Sequence, residues 1–199
     1  MTSYTIALFF HVSGAIGYFI SMGTWLLALA ALRRAQRVEQ VRTLTHLIGR
    51  LGPLFGISVL LILATGLYMA ITAWSLLTGW IVVALISLIL IAPLGTAFIE
   101  PRRRTIDRLA QEAPDGQLPQ SLEQHTHDPV LLIALQTVTI LLLGIVFLMT
   151  NKPSLIGSLI VMVVALVLGL VSGVLVSRVP RNRGQSVTTR ANDMREPIG

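Results

Sequence analysis

The chain has no cysteine, and only 12% of its 199 residues are charged and 6% aromatic. The missing cysteine excludes disulfides, thiolate metal sites, iron–sulfur clusters and covalently attached haem c, all of which require its sulfur. The scarcity of charge excludes more. A water-soluble domain of this size carries roughly a quarter charged residues, so this chain cannot clothe a water-facing surface. Also absent are a glycine-rich phosphate loop, an HExxH pair and a nucleophile triad. No residue is therefore assigned a catalytic role, and the sequence argues against an enzyme.

What is present is apolar: 54% of the residues are hydrophobic and the mean hydropathy is +0.78. A helix crossing ~30 Å of hydrocarbon needs ~20 predominantly apolar residues, and five segments meet that length, at about 6–32, 53–72, 80–99, 129–149 and 155–177. Their runs are continuous, with none of the period-two alternation of a membrane β-barrel. The first has no basic flank and no cleavage site, so it reads as a span and not as a secretory signal. The expected fold is all-α, a polytopic membrane bundle of five transmembrane helices forming one domain over 1–177. A basic tail over 178–199, polar and Gly/Pro-containing, is expected to be disordered.

The basic residues orient this bundle. Arg33, Arg34, Arg37, Arg42 and Arg50 fall between the first two spans, and Arg102, Arg103, Arg104 and Arg108 between the third and fourth. Arg178, Arg181, Arg183, Arg190 and Arg195 follow the fifth, so of the 15 basic residues only Lys152 lies on the other side. Arginine favours the cytoplasmic side of short loops, which places the N-terminus outside and the C-terminus inside a bacterial inner membrane. The net charge of +6 is thus topology, and no nucleic-acid partner is implied because the arginines are not interleaved with exposed aromatics. The expected partners are the bilayer, with anionic inner-leaflet lipids against the arginine clusters, and a homo-oligomer or a membrane complex.

The connections carry further expectations. Short outer loops imply antiparallel hairpins of the second span with the third and the fourth with the fifth. Ile106, Leu109, Ala110 and Ala113 have the spacing of a short helix lying on the inner leaflet, with a solvated linker as the alternative. Asp128 before Pro129 reads as an N-cap with proline at the first helical position. Pro93 is expected to kink the third span. Small residues at four-residue spacing mark close helix contacts in lipid: Ser13, Gly17 and Ser21; Gly169, Gly173 and Ser177; Gly52 and Gly56.

Polar groups at membrane depth are few. No Asp, Glu, Lys or Arg lies in the middle of any span, which argues against a proton relay or a charged-substrate transporter. His11 is the one ionisable candidate, two turns into the first span. A neutral imidazole there binds a metal or haem iron, hydrogen-bonds a quinone, or is satisfied by a neighbouring hydroxyl or carbonyl. Met69 and Met149, near the outer ends of the second and fourth spans, add thioethers, a set that suits Cu(I) or a His/Met-ligated haem, although such methionines also serve as packing. On the other side, His125 and His127 offer a chelating pair to which His46 or Glu100 could contribute, or a solvated loop. Gln136 and Thr139 place polar groups in the fourth span, Gln136 being suited to bond across to another helix.

Two stretches resemble a known family. Phe10-His11-Val12-Ser13-Gly14-Ala15, with Pro53-Leu54-Phe55 and Leu63-Ala64-Thr65-Gly66-Leu67-Tyr68-Met69-Ala70, is similar to the CopD-like group of multi-pass bacterial membrane proteins linked to copper handling, and to a neighbouring family of predicted integral membrane proteins. The resemblance spans the first four helices and implies His11 as the characteristic early histidine and Thr65-Gly66 as the second helix's signature. Where the copper-linked group has Trp-x-Gly-Gly, this chain has Phe19-Ile20-Ser21-Met22-Gly23, which points to the neighbouring family. Three functional expectations follow: metal handling through His11, Met69 and Met149 with copper as the ion; a redox subunit holding haem b or a quinone at His11; or a structural, anchoring subunit.

Overall fold

The computed structural model describes residues 2–178, and among them every regular element is helical. Helix α1 runs Ser3–Leu32, α2 Val38–Ala73, α3 Gly79–Pro93, α4 Glu100–Glu112, α5 Gln120–Thr126, α6 Pro129–Asn151 and α7 Leu155–Arg178, with a π-helical segment Leu94–Ile99 joining α3 to α4. Five stretches are long and apolar enough to cross a membrane. The all-α, five-span architecture is therefore as the apolar runs require. The tail expected to be disordered lies, apart from Arg178, outside the described residues.

The helices outrun the apolar segments at the arginine-bearing end. The second span was expected to begin at Pro53, yet α2 starts at Val38 and runs through that proline. A proline removes one backbone hydrogen bond, but Val41 and Ile48 on the added turns are buried with Ile106 and Ala110 of α4 and Leu122 of α5, and this packing holds the segment helical. Arg42 fastens the same layer. Its Nε donates to Ala110 O at 2.7 Å, and its other nitrogens reach Ala113 O and the Asp115 carboxylate, satisfying carbonyls that the end of α4 would otherwise leave open.

This layer corrects the expectation of a helix lying on the leaflet. Ile106 and Ala110 are 2% and 0% exposed, so the apolar face of α4 is spent on α2 and is not free for lipid. The geometry follows from Pro93. Instead of stopping α3, it is followed by the π-helical turn, which absorbs the proline and delivers α4 as a continuation of the same rod. Asp128 caps α6 as expected, accepting from Val130 N at 2.8 Å with Pro129 at the first position. It also takes the Arg102 Nε at 2.8 Å, tying α6 to α4.

Within the membrane the helices form two tight pairs, α1 with α2 and α6 with α7; α1 against α6 and α2 against α4 join them, and α3 packs on α6 and α7. The hairpin expected of the second and third spans is not a packed one: α2 leans on α1 and α4 instead. The α6–α7 seam is set by glycine. A Cβ at Gly169 would stand 2.8 Å from Thr137 Cα, and one at Gly173 2.8 Å from Ile133 Cα, so the backbones meet only because neither residue has a side chain. Gly52 and Gly56, expected to form a third seam, have nothing within 4 Å of where a Cβ would be. Their face of α2 is turned away from the rest of the chain. At the opposite end Lys152 closes α6 in a left-handed conformation (φ 47°) and lies 4.4 Å over the Trp74 ring, bringing the two short loops together.

Candidate functional site

The site grows out of the α1–α2 seam. Ala7, His11, Gly14, Tyr18 and Ser21 are buried on α1 at alternating four- and three-residue steps, the spacing that keeps one helical stripe against a partner. Facing them on α2 are Ser58, Ile62 and Thr65. At Gly14 a Cβ would lie 3.1 Å from Ile62 Cγ1, Leu61 Cβ and Ser58 O; at Gly17 it would lie 2.5 Å from Ser58 Oγ. One turn nearer the N-terminus the roles reverse, and α2 supplies the glycine. A Cβ at Gly66 would stand 2.9 Å from His11 Cε1, so its hydrogen leaves the room that the imidazole occupies.

The ring is held by α2 alone. His11 Nδ1 lies 3.0 Å from Ile62 O and 3.2 Å from Thr65 Oγ1. A carbonyl only accepts, so Nδ1 carries the proton and donates it to Ile62 O. The Thr65 hydroxyl proton is committed to Leu61 O, which leaves the Thr65 oxygen as a second acceptor for the same Nδ1–H. In the neutral imidazole Nε2 is then the unprotonated nitrogen. It has no hydrogen-bond partner among the described residues and is not one of the sealed polar atoms lacking one, although the residue is only 9% exposed. The seam thus leaves the Nε2 of a neutral His11 ring as a lone pair without a partner among the described residues.

Of the other expected ligands, Met69 is half-buried on the same α2 face, one turn beyond Thr65. The antiparallel register that sets Ser58 beside Gly17 and Thr65 beside His11 sets Met69 level with Ala7. Met149 is half-buried near the end of α6, against the shared core. No hydrogen bond joins either thioether to the ring; the structure seats His11 and places the methionines on an adjacent turn and a neighbouring helix. The acceptors Ile62 O and Thr65 Oγ1 complete the seat. A main-chain carbonyl leaves no mark in a sequence, and the one legible signal was the Thr65-Gly66 pair.

The second histidine group does not assemble. His125 Nδ1 is 2.8 Å from Ser121 O and His127 Nδ1 2.9 Å from Glu123 O, each within its own turn of chain. Glu100 is taken by Arg103 and Arg104 at 2.8 and 2.7 Å, and His46 faces a polar groove with Arg42, Asp107 and Gln111. Among the described residues no three His, Cys, Asp or Glu side chains are grouped as a metal site. Thr139 bonds to Leu135 O of its own helix, while Gln136 makes no hydrogen bond to any described residue.

Residues 5–153 match the family model described as Predicted integral membrane protein (DUF2269). The matched stretch runs from α1 to the end of α6 and contains His11, Thr65 and Gly66. No curated protein and no solved structure matches the chain.

Proposed function

We propose, from the premise that this chain belongs to the DUF2269 family of predicted integral membrane proteins, that it binds a soft transition-metal ion through His11 Nε2 in the outer half of a bacterial inner membrane. The observation that carries this reading is the Nδ1–H bond to Ile62 O. Metal-ligating histidines characteristically donate their other ring N–H to a carbonyl, which fixes the tautomer and raises the basicity of the free nitrogen. The same tautomer suits an electrophile and not a quinone carbonyl, which would need a proton on Nε2. No carboxylate lies at this depth, so a hard cation lacks its oxygen ligands. Imidazole with the thioethers of Met69 and Met149 is a soft donor set, for which Cu(I) is the fitting ion.

The orientation belongs to the same proposal. The arginine-bearing layer of α2, α4 and α5 is taken to be cytoplasmic, where Arg34, Arg50 and Arg108, which form no ion pair among the described residues, meet anionic inner-leaflet phosphates. A reporter fused after Gly199 is expected to be active only in the cytoplasm; periplasmic activity reverses the assignment and moves His11 to the inner half.

The metal reading is tested on purified protein in mild detergent, loaded with Cu(I) under reducing conditions and freed of unbound ion. The wild type is expected to retain about one copper per chain, and His11→Ala close to none at unchanged helical content. Equal retention by both would reject His11 as the ligand. A Soret band after haem supplementation, lost in the same variant, would assign the lone pair to haem iron instead.

A further inference from the structure

We infer that Lys152 and Trp74 form a clip that holds the Met149 thioether of α6 within reach of the His11 site. The inference rests on the metal reading above, and within it both are positioning residues, not ligands. Inside the membrane the chain falls into two bodies. His11 and Met69 belong to the α1–α2 pair, whose close approach depends on Gly14, Gly17 and Gly66. Met149 belongs to α6, which meets α7 along Gly144, Gly169 and Gly173. The start of α3 is fastened to the same body, since a Cβ at Gly79 would stand 2.9 Å from Leu155 Cβ at the start of α7. Towards the arginine-bearing end Leu29 and Leu32 of α1 share a crevice with Leu131 and Leu135 of α6. Equal rise from there along the two antiparallel helices brings Met149 level with Gly14 and Ala15, about one turn short of His11. An ion that takes both the imidazole and this sulfur therefore bridges the two bodies.

At the opposite end α2 and α6 share no extended packed face, and their ends meet through the Lys152 ammonium, 4.4 Å over the Trp74 ring. An ammonium at that distance is attracted by the ring's negative face. The local chain aims it there. After α6 ends at Asn151, Lys152 turns left-handed (φ 47°), a conformation that suits glycine and that a β-carbon disfavours. Pro153 follows, and Ser154 fixes the start of α7 by accepting from Gly157 N at 3.2 Å. Trp74 leaves α2 in extended conformation and is braced edge-to-face by Trp80 of α3, ring centroids 5.7 Å apart. Met149 lies three residues before Lys152 and Met69 five before Trp74, so this one contact sets how closely the two thioether-bearing helix ends approach.

The test is Cu(I) affinity, measured by competition with a chelator on the full chain in mild detergent. Lys152→Gly keeps the left-handed turn, which glycine adopts without strain, and removes the ammonium. Taking a positive charge away from a cation site would by itself tighten binding. The clip predicts the opposite sign, an affinity about two- to fivefold lower, the equivalent of one exposed cation–π contact. Trp74→Leu is expected to give the same loss, and Lys152→Arg, which returns a cation to the ring, wild-type affinity. In a Met149→Leu background there is no thioether left to position, so adding Lys152→Gly is expected to change nothing further. Unchanged or tighter binding in Lys152→Gly, or an equal further loss in the Met149→Leu background, would overturn the clip. Copper lost in His11→Ala but indifferent to Lys152→Gly removes the clip alone, whereas equal retention by the wild type and His11→Ala removes the metal reading and the clip with it.

Discussion

Adding one methyl group at each of Gly169 and Gly173 is expected to unfasten α7 from α6. In both cases the atom in the way is a main-chain Cα, of Thr137 and of Ile133, at 2.8 Å from the new Cβ. A flexible side chain could turn aside, but a helix backbone can give only by moving the helix. Overpacking of this kind destabilises by about 1–3 kcal/mol per site, and the two sites lie one turn apart on one seam, so that shifting α7 to relieve one also breaks contacts at the other. The double variant Gly169→Ala/Gly173→Ala should unfold at clearly lower dodecyl sulfate fraction in mixed micelles, followed by circular dichroism. Gly52→Ala/Gly56→Ala is the counterpart. Nothing stands within 4 Å of either position, and alanine favours a helix by about 1 kcal/mol over glycine, so that variant should be as stable as the wild type or more so. Comparable loss in both doubles would mean that α2 uses its glycines as contacts after all.

The second large effect is expected at Gly66. Gly66→Ala removes none of the proposed ligands, yet its methyl group would lie 2.9 Å from His11 Cε1 and 3.3 Å from Nδ1, displacing the ring from Ile62 O and Thr65. Loss of such an orienting contact typically weakens metal binding about 10–100-fold, and Cu(I) affinity measured by competition with a chromogenic chelator should fall by that order. Thr65→Val, which removes one of the two acceptors but leaves Ile62 O in place, should give a smaller loss. An unchanged affinity in Gly66→Ala would mean that the ion does not depend on how the imidazole is held.

These contrasts mark where the sequence could and could not be read. The five spans were legible because charge is nearly absent from them, and the expense of burying charge in hydrocarbon is a local property of each segment. The three small-residue stripes were equally visible, but spacing alone does not say what a stripe faces. Gly169 and Gly173 meet α6, Gly17 meets Ser58, and Gly52 and Gly56 meet nothing in the chain. Pro53 misled in a similar way. Its local effect is to interrupt a helix, and the packing of Val41 and Ile48 against α4, a contact some sixty residues away along the chain, overrides it. Ile106 and Ala110 have the periodicity of an amphipathic helix whether the apolar side meets lipid or protein; the structure gives it to α2.

The candidate site was half legible. His11 stood out as the one ionisable residue at membrane depth, a statement that composition alone supports. Its seat did not, because Ile62 contributes through a carbonyl that every residue possesses and Gly66 through an absence. The lone pair at Nε2, on which the chemistry turns, became visible only when the partners of Nδ1 were known. Conversely, His125 and His127 look like a chelate in sequence, but each ring turns back to a carbonyl of its own helical turn.

The central claim, that His11 Nε2 is a metal ligand supported by thioether sulfur, is tested most directly by X-ray absorption at the copper edge on protein loaded with one equivalent of Cu(I). The spectrum is expected to contain the outer-shell scattering of one imidazole together with a sulfur shell at ~2.3 Å, close to typical metal–sulfur distances, and to lose the imidazole component in His11→Ala. A copper environment without imidazole scattering in the wild type, or one that His11→Ala leaves unchanged, would contradict it.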